Sequence, residues 1–115
     1  MRREALYLTD IVAASDAIKR FCHGLTKEDF AKDELRQSAV LQKLIVIGEA
    51  VAQLSNDFTA NYPDIEWRDI KAFRNFAVHA YFSVDWNIVW VTATQDVPSL
   101  QIKIARILDE DLTDD

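Results

Sequence analysis

Apolar residues recur at helical spacing along most of the chain. From about Leu6 to Cys22 they form a stripe on one side of a helix (Tyr7, Ile11, Ala14, Ile18, Phe21 and, just beyond, Leu25). Gly24 suits the position after a helix end, and Thr26 with Asp29 resembles a capping box. The pattern predicts one long amphipathic helix followed by a second, capped segment.

A broader apolar surface lies between about Asp33 and Leu54. One face carries Leu41, Leu44, Ile45, Gly48, Val51 and Ala52, and Val40, Ile47 and Leu54 widen it. A helix this apolar is either central in its own bundle or shared with a second subunit. For a small protein we expect both.

Three more helices are predicted after a break at Ser55–Pro63, in which one short helical turn fits. They run from Trp67 to about Val78, from Asp85 to Gln95, and onward from Asp96-Val97-Pro98. Proline is tolerated in a first helical turn, where its missing N–H costs nothing. We therefore expect an all-α, up-down bundle of four to five helices, forming a single domain over residues 1–115.

Composition supports this fold class and excludes others. Only two glycines and two prolines occur among 115 residues, too few for a sandwich, a barrel or a glycine-rich phosphate loop. The single cysteine, Cys22, excludes an internal disulfide and a CxxC motif. No segment resembles a signal peptide or a membrane span, so we expect a cytoplasmic protein without membrane contact.

The net charge of −6 weighs against nonspecific coating of nucleic acid. Five of the last seven residues are acidic, however, and without them 13 basic residues face 14 acidic ones. A local basic site is therefore compatible with the sequence. His23 follows a helix end, where a capping or surface role fits better than a ligand role, and no metal site is predicted.

Candidate chemistry is concentrated between Lys71 and Phe82, where Arg74, Asn75, His79 and Tyr81 occur within eight residues. On a regular helix Arg74 and His79 point ~140° apart. They can converge if the helix ends near His79, or if two copies of the motif meet at a symmetry axis. Spacing alone also allows a helix end with a buried, hydrogen-bonded histidine.

Arg74-Asn75-Phe76-Ala77-Val78-His79, with Tyr81, resembles the Arg-x4-His-x-Tyr signature of HepT-like toxins in the HEPN superfamily. The resemblance extends in order from Gln37 to Leu108. It includes the "IGEA" segment at Ile47–Ala50, the "I-x-W" at Ile65–Trp67, and two downstream blocks at Val84–Trp90 and Asp96–Leu100.

The resemblance implies a HEPN-like helical bundle that homodimerises through its motif helices. It also implies a type VII toxin, a metal-independent endoribonuclease without cofactors, whose RNA substrates could include tRNA. The implied partner is a minimal, MntA-like nucleotidyltransferase antitoxin that silences the toxin by adenylylating Tyr81. An AMP group there would occupy the substrate phosphate site and block the dimer cleft.

The residue types suit this chemistry. A histidine can exchange protons near neutral pH, which fits His79 as general acid/base. A guanidinium can hold a phosphate and stabilise developing charge, which fits Arg74. Asn75 would orient a phosphate oxygen or hold the histidine. Glu49 is either a partner of Arg74 or an ordinary helix carboxylate.

Other positions keep two interpretations. Arg68 and Lys71 either follow an RNA backbone or are surface residues paired with Glu66 or Asp69. Trp67, Trp86 and Trp90 either stack on RNA bases or pack as ordinary aromatic residues. Tyr81 is likewise either the modification site or a packing residue. Ala72 and Ala80 stand where many relatives have glycine, which would disfavour any positive φ.

Two other functions compete with a ribonuclease toxin. One is a HEPN subunit that does not cleave and only presents nucleotide or substrate to a nucleotidyltransferase. The other is a dimeric helical adaptor without nucleotide affinity, in which Arg74 contributes to stability alone.

Overall fold

The computed structural model describes residues 2–79 and 83–112, and they contain helices and connecting turns without a strand. The helices are α1 (Arg2–Cys22), α2 (Lys27–Ala31), α3 (Glu34–Gln53), α4 (Asn56–Ala60), α5 (Trp67–His79), α6 (Trp86–Val91) and α7 (Val97–Asp111). A π-helical segment, the π turn (Thr92–Asp96), joins α6 to α7. The all-α prediction is confirmed.

The long helices pack in the spatial order α5, α3, α1, α7. The central position predicted for the second long helix is confirmed, because α3 packs on both α1 and α5. Its buried residues include Val40, Leu41, Leu44, Ile47 and Val51. On α1, Ile11, Ala14 and Ile18 are buried as predicted, but Leu8 is also completely buried and was not in the predicted stripe.

The short helices begin where side chains cap them. The capping box predicted at Thr26 is present: Asp29 N–H donates to Thr26 Oγ1, and Thr26 N–H donates to the Asp29 carboxylate. Asp33 and Ser55 cap α3 and α4 with one hydrogen bond each, in which the side chain accepts from the backbone N–H three residues later. The predicted break after Leu54 therefore contains one short helix, α4.

Two helix boundaries differ from the predictions. Helix α1 begins at Arg2 rather than near Leu6. No break separates α6 from α7, since the π turn keeps the backbone helical from Trp86 to Asp111. The π turn ends two residues before Pro98. In a regular α-helix the ring of Pro98 would collide with the carbonyl of Thr94, four residues earlier. Within the described residues, no helix is long and apolar enough to cross a membrane.

Candidate functional site

The crossing of α3 and α5 brings Gly48 against Arg74. A Cβ atom at position 48 would lie 2.9 Å from Cγ of Arg74 and 3.4 Å from its Cα. The first distance is shorter than real Cβ atoms tolerate, so this close approach of two helices requires glycine. The Arg74 stem therefore lies directly on the backbone of α3.

Glu49 meets the other end of the same side chain. Its Oε1 lies 3.3 Å from Nη1 of Arg74. The Arg74 side chain is 28% exposed and that of Glu49 is 53% exposed, so solvent screens the ion pair and its contribution to stability is small. Of the two interpretations of Glu49, the structure shows the contact with Arg74.

Arg74 still has donors to offer. Its Nε is buried and has no hydrogen-bond partner among the described residues. A guanidinium carries five N–H donors in a planar fork, which matches the oxygens of a phosphate. An unpaired buried donor costs free energy in the absence of a ligand. The arrangement therefore orients an arginine while leaving part of its hydrogen-bonding capacity unused.

His79 is the last residue of α5. A regular helix rotates by ~500° over five residues, or ~140° net, and rises ~7.5 Å. Positions 74 and 79 of α5 therefore do not lie on the same face of the helix. Of the predicted site, the His79 side chain, Tyr81 and Ala80 lie outside the described part of the structure.

A polar groove lies between α5 and α4. Arg68, Lys71 and Asn75 line it from α5, and Asn56 and Thr59 line it from the opposite side. The carboxylates of Glu66 and Asp69 line it as well. Arg68 and Lys71 are exposed. In the described ranges neither residue forms an ion pair with Glu66 or Asp69, so the predicted pairing is absent. The predicted basic positions and Asn75 thus share one groove.

Ala72, at a position where the family resemblance implies glycine in many members, also lines this groove. It is an ordinary helical residue, because Gly24 is the only residue with positive φ in the described ranges. At position 72 the departure from glycine therefore introduces no backbone strain.

The three tryptophans pack within the bundle. Trp67 is buried, and its Nε1–H donates to the carbonyl of Tyr62 at 3.0 Å. The rings of Trp86 and Trp90 lie 6.3 and 5.2 Å from that of Phe30. These contacts support the packing interpretation rather than base stacking. His23 is exposed in the turn after α1, as expected.

One polar contact had no signal in the sequence. The Tyr62 hydroxyl donates to Oδ2 of Asp111 at 2.7 Å and links the chain before α5 to the end of α7. Partial burial, together with this hydrogen bond, raises the pKa of Tyr62 from 10.0 to about 12. The two residues are 49 positions apart, so no local pattern predicts their contact.

Residues 11–107 match the model of a family described as ribonuclease HepT-like. A probable ribonuclease HepT from Thermococcus cleftensis is 40% identical over 101 residues, covering 88% of this chain and 92% of that protein. A putative RNase from Caldanaerobacter subterraneus is 30% identical over 111 residues, covering 96% of this chain and 99% of that protein.

A third relative is longer. A protein of Methanocaldococcus jannaschii named as a gamma-glutamylcyclotransferase and putative RNase is 30% identical over 111 residues, and the match spans 50% of its length. No solved structure matches the chain. The family match covers most of the chain, and this chain belongs to the HepT-like ribonuclease family.

Proposed function

We propose that this chain is a metal-independent endoribonuclease and the toxin of a type VII toxin–antitoxin pair. The observation that carries the proposal is the setting of Arg74 on α5, the helix that ends at His79. Gly48 and Glu49 of α3 contact its side chain. Its Nε has no hydrogen-bond partner among the described residues. Two close relatives are named as ribonucleases, which supports RNA as the substrate.

In the proposed reaction the 2′-hydroxyl of one nucleotide attacks the adjacent phosphorus. The hydroxyl proton passes to a base, the bond from phosphorus to the 5′-oxygen breaks, and the leaving oxygen takes a proton. A 2′,3′-cyclic phosphate and a 5′-hydroxyl remain. His79 acts as the general acid/base, since an imidazole exchanges protons near neutral pH.

Arg74 binds the phosphate whose charge grows in the transition state. Donors fixed before the reaction stabilise such charge without reorganisation, and Glu49 together with Gly48 supplies that fixation. Asn75 orients a phosphate oxygen or the imidazole. Arg68 and Lys71 line the same groove as Asn75 and bind neighbouring phosphates of the RNA backbone.

The active form is a homodimer in which the two motif helices face each other. The support is geometric: α5 stays helical through His79, so positions 74 and 79 of one chain lie ~140° apart around the helix axis. A second copy related by a two-fold axis can bring its own histidine to the arginine of the first. Two histidines then serve one cleft.

The proposed partner is an MntA-like nucleotidyltransferase that transfers AMP to Tyr81. The phenolic oxygen attacks the α-phosphorus of ATP, and pyrophosphate leaves. Tyr81 follows His79 by two residues, so the added phosphate and base stand beside the motif and compete with RNA. Mass spectrometry after co-expression, with Tyr81→Phe as the control, tests this step.

The central experiment is RNA cleavage in the presence of a metal chelator. We compare the unmodified chain with His79→Ala and use His23→Ala as the matched control, since His23 is the other histidine and is exposed. Loss of general acid–base catalysis lowers the rate ~10²–10⁴-fold. We expect that loss for His79→Ala, no loss for His23→Ala, and a cyclic phosphate product.

Other outcomes contradict the proposal. Equal cleavage by the wild type and His79→Ala would place the activity elsewhere or in a contaminant. Absence of cleavage by protein shown to be unmodified at Tyr81, over a broad RNA panel, would favour the non-cleaving subunit of a nucleotidyltransferase complex.

A further inference from the structure

A second groove, which we call the acidic groove, adjoins the polar groove and shares Ile65, Glu66 and Asp69 with it. Its floor is apolar and is built by Leu44 and Ile47 of α3, Ile70 and Phe73 of α5, and Leu100 of α7. The groove encloses about 470 Å³, within the range of ligand and anchor-residue pockets. Ile70, Phe73 and Leu100 remain partly accessible.

The rim of this groove carries mainly negative charge. Four exposed carboxylates line it, from Asp64, Glu66, Asp69 and Asp96. Within the described ranges none of the four is paired with a basic side chain. The basic lining residue, Lys103, donates its Nζ–H to the carbonyl oxygen of Asp64 at 3.0 Å. The groove therefore combines an apolar floor with unneutralised negative charge at its edge.

This combination restricts what the groove can bind. In the acidic groove one lysine faces four carboxylates, and this excess of negative charge would repel RNA phosphates. In the polar groove Arg68 and Lys71 balance the charges of Glu66 and Asp69. A purely apolar segment would bury its side chains but leave the carboxylates uncompensated. Lysine or arginine side chains placed around an apolar anchor would satisfy both features, as complementary charges do at the rims of protein interfaces.

The acidic groove also lies next to the proposed catalytic residues. Phe73 of its floor directly precedes Arg74, and Ile47 precedes Gly48 and Glu49. Thr92 and Asp96, the first and last residues of the π turn, line the groove as well. A ligand seated there would contact the two helices whose crossing holds Arg74.

We propose that the acidic groove binds a segment of a partner protein in which apolar anchor side chains are flanked by lysine or arginine. The segment lies in the groove in the manner of an amphipathic helix on a protein surface. The proposal concerns binding and holds whether or not the chain cleaves RNA.

The test is fluorescence anisotropy with a labelled helical peptide of leucine and lysine, beside the same peptide with glutamate in place of lysine. The groove variant is Asp64→Asn with Asp96→Asn. The matched control is Asp109→Asn with Glu110→Gln, which removes the same charge from exposed positions near the end of α7. All four residues are exposed, so both variants should fold.

We expect the lysine peptide to bind, and the groove variant to weaken its binding at least about tenfold, or about 1.4 kcal/mol. The control variant should change binding less than about twofold, and the glutamate peptide should not bind. Equal weakening by both variants would show that the peptide responds to the net negative charge of the chain and not to the groove, and would overturn the proposal. Loss of RNA binding in the groove variant would assign the groove to RNA instead. A change of the chain's own oligomeric state in that variant would assign it to a second copy.

Discussion

Gly48 and Arg74 meet where α3 crosses α5, and the space there holds the side chain of Arg74 but no Cβ atom on residue 48. Any Cβ atom on residue 48 would lie 2.9 Å from Cγ of Arg74, so the backbone of α3 serves as the surface on which the arginine stem rests. The next residue, Glu49, receives the guanidinium at 3.3 Å. Two consecutive residues of α3 thus set both ends of one side chain.

Replacing Gly48 by alanine should destabilise the protein. At a helix position with free space this change stabilises by up to about 1 kcal/mol, whereas overpacking costs about 1–3 kcal/mol. We therefore expect Gly48→Ala to lower the free energy of unfolding, measured by urea denaturation. Ser38→Ala, at an exposed position of α3, is the control for helix propensity. A stabilised Gly48→Ala would show that α5 moves away at little cost.

The ion pair between Glu49 and Arg74 should matter little for stability and much for catalysis. A double-mutant cycle with Glu49→Gln and Arg74→Met, which keeps most of the stem, should give a coupling energy below about 1 kcal/mol. Cleavage of RNA by Arg74→Met should fall by about 10²–10³-fold, as when one transition-state donor is removed. Arg36→Met is the matched control, because Arg36 pairs with Asp33 at 3.6 Å in a similarly exposed pair. A large loss of stability with unchanged cleavage would favour the purely structural role of Arg74.

If the polar groove binds RNA phosphates, substitutions of its basic residues should change the salt dependence of RNA binding. In the His79→Ala background, which prevents cleavage, Arg68→Gln and Lys71→Gln should each weaken binding. Each should also reduce the slope of log affinity against log salt by about 0.7, the value per phosphate contact for single strands. Lys19→Gln with Arg20→Gln is the control, since both are exposed basic residues at the end of α1. Equal effects of the two sets would indicate nonspecific attraction.

Tyr62 should make stability depend on pH in alkaline solution. Its pKa in the folded chain is about 12, against 10.0 without these contacts. The folded state therefore favours the protonated phenol, and the resulting stabilisation is present below pH 10 and is lost as pH rises towards about 12. The difference in unfolding free energy between the wild type and Tyr62→Phe should shrink over that interval. Ultraviolet titration should show that Tyr62→Phe lacks a phenol that ionises at about pH 12. A difference that does not vary with pH would contradict the proposed contact.

Local features of the fold were predictable because they depend on neighbours in sequence. The capping box at Thr26 and the end of α1 at Cys22 are examples, since both follow from side chains a few residues apart. The complete burial of Leu8 was missed. Apolar residues at alternating spacings of four and three place Tyr7, and not Leu8, on the face of α1 that was predicted to be buried. The π turn was missed because helical periodicity does not distinguish an extra residue from a break before proline.

The candidate site was predictable to a lesser extent. The motif residues on α5 and the pairing of Glu49 with Arg74 followed from resemblance to a family, and the contact is present in the structure; the roles of these residues stay predictions. The close approach at Gly48 and the Tyr62–Asp111 hydrogen bond depend on how distant segments pack. The acidic groove likewise draws its lining from three separate helices and the π turn, and no single stretch of sequence contains its pattern.

The π turn lets a continuous helical rod contain a proline. The N–H of Val97 donates to the carbonyl of Thr92, five residues earlier, so this turn holds one residue more than a turn of regular α-helix. Because the extra residue is accommodated within one widened turn, Ile104 and Ile107 beyond it still face the core. Deleting one residue between 92 and 96 would restore regular α-helical hydrogen bonding and bring the ring of Pro98 against the carbonyl four residues before it. The extra residue therefore allows α6 and α7 to form one rod in spite of Pro98.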